Sequence, residues 1–404
     1  MVAKILESVK VVGFTAAGVG NIVMKTMAEQ GATCVRIESI LRPCILRTAQ
    51  PFKDGKPGIN RGAYFAIYNN GLLSITLNMK HEKTPQVTKR LFEWADVVVE
   101  NYSPGTMASW GIDYEKVKKI KPDIIMISLS HQGQTGPHRG IPGYGPQLQG
   151  VAGVLNLTGY PDRQPSLVGV SYPDFIAPPF GVTAIVAALD YKRRTGKGQY
   201  IDASEFEDTL MYLQPVLLDY QVNKREWMRD ANKVPSAAPH GAFRCKGDDQ
   251  WCAIAVTTDE QWQAFCTVMG NPEWTKSSKF ATLRGRKHNE DELNELVNQW
   301  TINFTPREVM DSLQAVGVPA GMVQNSGDVL QDRHYKARGY FQILDHPEIG
   351  PHEYIRSNFI LGKTPGELNR PAPLLGEHTE YVCRELLHMS SEEFDQLLVE
   401  EIFH

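Results

Sequence analysis

Over the first 130 residues, short apolar runs alternate with longer stretches whose apolar residues recur at helical spacing. Val9 to Phe14 is a run of strand length, followed by the small-residue turn Ala16-Ala17-Gly18-Val19-Gly20-Asn21. Ile22 to Gln30 then carries helical periodicity up to Gly31, and Cys34 to Glu38 reads as the next strand. Together these form a β-α-β unit, and the pattern repeats. Leu73 to Leu77 predicts a strand, Pro85 to Ala95 a helix, and Asp96 to Glu100, with Val-Val-Val at its centre, a buried parallel strand. Ser103-Pro104-Gly105 turns the chain. Tyr114 to Ile120 predicts a helix stopped before Pro122, and Asp123 to Ser130 another buried strand. The alternation predicts an α/β fold: a doubly wound parallel sheet with helices on both faces.

Further along, the pattern loosens. Nine glycines or prolines fall between Gly133 and Gly150, marking a loop-rich segment of the kind that carries function. Phe180 to Arg193 predicts a strong helix, Gln199 to Ala203 a strand, and Phe206 to Asn223 a long amphipathic stretch. Between about Lys233 and Asn325 the character changes. The runs Gly241 to Lys246 and Gln250 to Val256 flank the turn Gly247-Asp248-Asp249, and helical patterns follow at Glu260 to Met269, Asp291 to Trp300 and Pro306 to Ala315. This predicts a smaller α+β domain. The tail is mixed and closes with helical patterns near Glu377 to Leu387 and Ser391 to Glu401.

Length agrees with two structural units, since 404 residues exceed one ordinary hydrophobic core. The balance of 42 basic against 46 acidic side chains argues against a chain that coats nucleic acid or an anionic membrane. The six cysteines form no Cys-x-x-Cys pair and have no histidine at metal-site spacing. Free thiols, a cytoplasmic setting and no metal site are the expectation. Val11 to Met24 is the one candidate for a leader, but Glu7 precedes it, Thr15 and Asn21 interrupt it, and it reads better as strand, turn and helix. No apolar run reaches the length expected of a membrane span.

Read one by one, the chemical candidates are weak. Gly18-Val19-Gly20 supplies two glycines of a dinucleotide turn, and Glu38 ends the second strand. Position 23 is valine, so the third small residue is missing. Backbone amides in such a turn can still receive a phosphate or an oxyanion. There is no Gly-x-Ser-x-Gly elbow and no Walker A segment. His131 and His138 read as loop histidines. Asp174, within Tyr172-Pro173-Asp174, reads as a helix N-cap or as a catalytic carboxylate. Arg193, Arg194 and Lys197 complement the end of a helix.

Longer strings change the assessment. Ala187-Ala188-Leu189, continuing to Arg193-Arg194-Thr195-Gly196-Lys197-Gly198-Gln199-Tyr200-Ile201-Asp202, resembles the signature after the catalytic aspartate in class III CoA-transferases, the family of formyl-CoA, carnitine-CoA and benzylsuccinate-CoA transferases. Val98 to Gly105 resembles the family's Val-Glu-Asn-Phe-x-Pro-Gly turn, and Gly133-Gln134-Thr135-Gly136-Pro137 its glycine-rich loop. Gly317 to Gly321 and Arg370 to Thr379 resemble its C-terminal pieces. The likeness spans nearly the whole chain in order.

The resemblance implies that Asp174 is the nucleophile. Its carboxylate would attack an acyl-CoA, giving an aspartyl–acyl anhydride and CoA thiolate. The thiolate would return to give an aspartyl-CoA thioester and free the donor acid, and an incoming carboxylic acid would run the steps in reverse. Coenzyme A is then a substrate rather than a resident cofactor. The implied CoA contacts are Ala17 and Val19, Leu77 and Lys80, and Asn101 and Tyr102. Pro239, His240 and Gly241 occupy the place of the family's glycine-rich lid. This chain departs from the formyl-CoA transferase pattern where basic phosphate contacts become Ser39, Ser109 and Pro142, which leaves Arg36, Arg42, Arg139 or Lys80 to substitute. Racemases of the family use an Ala-Gly-His-Asp string. Pro142-Gly143-Tyr144-Gly145 stands here, so transferase is preferred.

By the same resemblance, residues 1–212 and 344–404 form a Rossmann-like large domain and 235–325 the small α+β domain. The linkers are 213–234 and 326–343, and the assembly is an interlocked dimer. The partner is a second copy or a homologous subunit, one reading being that this chain is the weakly CoA-binding or non-catalytic member. Tyr64, Tyr144 and Tyr172 point to benzylsuccinate as acceptor, with succinyl-CoA as donor.

Overall fold

The computed structural model describes residues 3–404. The chain divides into two compact units. One takes residues up to Leu155, Leu167–Glu226 and His334–His404; the other takes Asn156–Ser166 and Trp227–Arg333.

The first unit is built on six parallel strands: β1 (Lys10–Phe14), β2 (Thr33–Glu38), β3 (Leu73–Thr76), β4 (Val97–Glu100), β5 (Ile125–Ser130) and β6 (Tyr200–Ser204). Their order is β3-β2-β1-β4-β5-β6. Both faces are covered, so the central strands are apolar nearly throughout. Val11, Val12, Val97, Val98, Val99, Ile125 and Ile127 are fully buried. Each such side chain stabilises the fold by roughly 1.5–3 kcal/mol. One face packs helix α1 (Val19–Glu29) and helix α2 (Tyr172–Thr195) on the sheet, with Val23, Met27, Ile185 and Ala188 in the seam. The other face joins the helix Thr84–Trp94 to the C-terminal segment through Phe92, Val382, Phe394 and Ile402. The C-terminal residues thus complete the core of the N-terminal sheet. His378 donates its amide to the Ser74 carbonyl, and Asn78 donates its own to Ile402.

Helix α2 is longer than the apolar periodicity from Phe180 implies. Pro173 fits its first turn, where the missing N–H is harmless, and Pro178 and Pro179 lie within it. It is long and apolar enough to cross a membrane by length and composition. Here it lies on the sheet, its last turn carrying Lys192, Arg193 and Arg194. The amphipathic stretch from Phe206 is divided into helix α3 (Glu205–Leu210), a 3-10 turn and the helix Gln214–Asn223.

The second unit has a three-stranded antiparallel sheet, His240–Arg244, Trp251–Ala255 and Ala320–Met322, the last strand not anticipated from the sequence. The helices Asp259–Val268, Glu290–Thr301 and Pro306–Gln314 supply Trp262, Phe265, Leu293, Val297 and Leu313 to its core. Asn156–Ser166 joins this unit although it lies in the expected large-domain range. Its carbonyls explain this: Gly159 accepts from the Ala231 amide, and Tyr160 and Arg163 accept from the Arg229 guanidinium.

Candidate active site

The strand order reverses between β1 and β4, which leaves a crevice beyond their carboxyl ends. Two turns form it. Asn101, just after β4, donates through its side-chain amide to the Ala16 carbonyl and accepts from the Ala16 amide, both at 2.7 Å. Gly20 makes this approach possible, since a Cβ there would come within 2.6 Å of Thr15 and 3.2 Å of Asn101. Ala17 holds a left-handed backbone at φ 53°, an unusual state for a residue with a Cβ and one that persists only where its surroundings enforce it.

Asp174 comes to the same place. It lies in the first turn of α2, whose N-cap is Ser171, so it is not the cap; its own amide donates to the Ser171 carbonyl. A Cβ on Gly18 would lie 3.8 Å from Asp174 Oδ2, and one on Gly145 would overlap Oδ1. Asp174 Oδ1 is buried without a hydrogen-bond partner. Burial pushes the carboxyl up to about 6, with a backbone hydrogen bond opposing. Tyr68 stacks with Tyr64 (6.3 Å) and tilts against Phe175 (5.8 Å). Its phenol is pushed up to about 12 by burial and by the negative potential of Tyr64 and Asp174.

The other implied contacts follow β1, β3 and β4 or belong to the second unit. The Val19 and Leu77 side chains are core residues, so only their backbones face outward chemistry. Lys80 is exposed beyond β3. Tyr102 packs edge-on against Trp110 at 5.2 Å and donates its amide to Glu100 at 2.9 Å. Burial raises Glu100 to about 7. Pro239, His240 and Gly241 belong to the second unit. Pro239 accepts from the Val256 amide, and His240 and Gly241 open a paired strand, so the segment is part of a sheet.

Of the basic residues left to meet phosphates, Arg36 is removed. It is fully buried, donating to Asn69 (2.8 Å) and the Thr15 carbonyl (3.2 Å), beside Glu38 at 3.3 Å. Glu38 in turn receives Arg47 in two bonds, at 2.9 and 2.7 Å, and the Ser74 hydroxyl at 2.8 Å. Burial alone would raise the Glu38 carboxyl; the arginines and Ser74 hold it below its ordinary range. A carboxylate so occupied is not free for a ribose. Arg42 and Arg139 remain exposed.

The sequence reading passed over a second acid. Glu205, the first residue of α3, is 3% exposed, and its Oε2 has no hydrogen-bond partner. Burial, then the charges of Asp174 and Asp208, raises it to about 8. His131 stands 4.0 Å from it, with its ring also beside Gly143. A lone Glu before an amphipathic run carries no signal of this.

A parallel sheet of order 3-2-1-4-5-6, with an unpaired carboxylate at its switch point, defines a Rossmann-like enzyme scaffold. Residues 6–379 match the family model described as CoA-transferase family III. The chain belongs to that family and is a class III CoA-transferase. It is 33% identical over 328 residues, 80% of either chain, to the succinyl-CoA–L-malate CoA-transferase beta subunit of Chloroflexus aurantiacus. It is 28% identical over 98% of either chain to the succinyl-CoA–D-citramalate CoA-transferase of the same organism. The crystal structure of a CAIB/BAIF family protein from Brucella suis matches with a TM-score of 0.86 at 31% identity, covering 95% of this chain and 99% of that one.

Proposed function

We propose that this chain moves CoA from succinyl-CoA to a short dicarboxylic acid, with Asp174 as the covalent relay. The observation that carries this reading is the Asp174 carboxylate itself, set at the switch-point crevice with a buried, unpartnered oxygen. Such a group is poorly solvated and still ionised at neutral pH, two properties of a nucleophile. Its Oδ attacks the thioester carbonyl and expels CoA thiolate, leaving a mixed anhydride. The thiolate attacks the aspartyl carbonyl and expels succinate, leaving an aspartyl-CoA thioester. The acceptor carboxylate attacks that thioester and expels thiolate, and the thiolate then takes the acceptor's acyl group and restores Asp174. Backbone amides of the strained Ala17-Gly18 turn receive the negative charge of each tetrahedral state. The CoA body lies along Val19, Leu77, Lys80 and Tyr102, with Asn101 fixing the turn.

L-malate and D-citramalate, named for two relatives, favour a small dicarboxylate over the benzylsuccinate acceptor expected from the tyrosines. Tyr144 is itself 58% exposed. A second chain, identical or homologous, covers the apolar residues that this one leaves open at Phe175, Phe180, Leu217, Leu218 and Val222. One relative bears the name of a beta subunit, which supports a homologous partner.

The test is incubation of the purified protein, with any co-purifying homologue, with succinyl-CoA and hydroxylamine, followed by peptide mass spectrometry. A hydroxamate on Asp174 is expected, and light scattering of the same sample should show two chains. A label confined to other residues, or none at all, removes the mechanism.

A further inference from the structure

The relay requires a free carboxylate to approach Asp174 each time an acid leaves or enters, yet the groups gathered there are acidic. Facing Glu205 are Asp174 from α2, His131 from the end of β5, and Asp208 from α3 itself. Burial lowers His131 below its ordinary value, so this cluster offers no cation. What it offers is three buried carboxyl oxygens with nothing bonded to them: Glu205 Oε2, Asp208 Oδ2 and Asp174 Oδ1.

The position of Glu205 is built by its neighbours. The His131 carbonyl accepts from the Phe206 amide at 2.9 Å and from the Ser204 hydroxyl at 3.5 Å, which locks the end of β5 to the start of α3. The His131 ring fills the space between Gly143 and Glu205. A carboxyl that is 3% exposed and lacks a counter-charge is tolerated when it keeps its proton, and a neutral carboxylic acid is a hydrogen-bond donor.

We propose, on the footing of the Asp174 mechanism, that protonated Glu205 donates a hydrogen bond to the free carboxylate entering or leaving beside Asp174, and so positions the acceptor acid. The proton stays on Glu205 throughout. The acceptor oxygen forms its bond to the aspartyl carbonyl carbon, CoA thiolate departs with the electron pair of the broken C–S bond, and the donated hydrogen bond shifts only in strength. Above pH about 8, where Glu205 loses its proton, the same residue repels the acceptor carboxylate.

The experiment measures transfer with succinyl-CoA at fixed saturation and L-malate as the probe acceptor, from pH 6.5 to 9.5, alongside the hydroxylamine label on Asp174 from donor alone. In the unaltered protein the acceptor KM should rise about tenfold per pH unit above 8, while the label is unaffected. Glu205→Gln keeps a neutral donor but cannot ionise. It should raise the acceptor KM a few-fold at pH 7 and abolish the alkaline rise. Glu205→Leu should raise that KM about ten- to a hundredfold at pH 7. A flat KM profile in the unaltered protein, or an alkaline rise retained by Glu205→Gln, overturns the role of Glu205 while the Asp174 label stands. Loss of the label itself removes the relay and this role together.

Discussion

Two buried carboxylate sites lie at the carboxyl edge of one sheet and differ in a single respect. At the end of β2, Glu38 is enclosed by Arg36, Arg47 and Ser74, with the Phe65 ring centroid 3.4 Å from the Arg47 guanidinium carbon. At the starts of α2 and α3, Asp174 and Glu205 each keep an oxygen with no partner. In the first site the charge is spent on the fold: low proton affinity, fixed geometry and nothing free for a ligand. In the second the fold leaves charge unanswered, and proton affinities rise to about 6 and about 8. Pairing separates a structural carboxylate from a reactive one more sharply than burial does.

The contrast is open to direct attack. Asp174→Asn should cut turnover on the order of a thousandfold or more, worth about 4 kcal/mol. Its stability should move the other way. Asp174 has its proton affinity raised in the folded state, so its favourable contribution is present below its ordinary value of 3.8 and is lost as pH rises through about 6. Denaturant titration should therefore find the variant about 3 kcal/mol more stable at pH 8 and unchanged at pH 3. If Asp174→Asn were destabilising at pH 8, the site would be a paired one after all.

At the other site, Arg47→Met removes two of the bonds that hold the buried Glu38, leaving it Arg36 and Ser74. Unfolding free energy should drop by about 3–5 kcal/mol, while the folded fraction still labels at Asp174. An unchanged midpoint in urea would show that the arginines do not hold this corner together. The smallest expected effect is at Gly145. Alanine there collides with Asp174 Oδ1, and the carboxyl must turn. Turnover should fall about ten- to a hundredfold with the thermal midpoint little moved.

Hydrophobic periodicity fixed a good part of this molecule. The helix expected from Tyr114 to Ile120 occurs with those bounds, and the buried strand at Val97–Glu100 follows from its valines. These are local properties: a run of apolar residues between turn signals buries itself wherever it is placed. Helix α2 was legible only from Phe180; it begins at Tyr172 and carries Pro178 and Pro179 within it, held on the sheet by packing. Asp174 was recognisable only from the strings around it. Taken alone it read first as a helix cap, and folding placed it in the first turn instead, three residues after the cap Ser171. Glu205 and His131 were invisible as a pair, since 74 positions separate them and only the adjacency of β5 and β6 brings them to 4.0 Å. The sequence by itself determined which segments form the sheet and which family the chain resembles. The tertiary structure decided which buried charges find partners, because pairing depends on distances between residues far apart in the chain, and those exist only once the strands have taken their order.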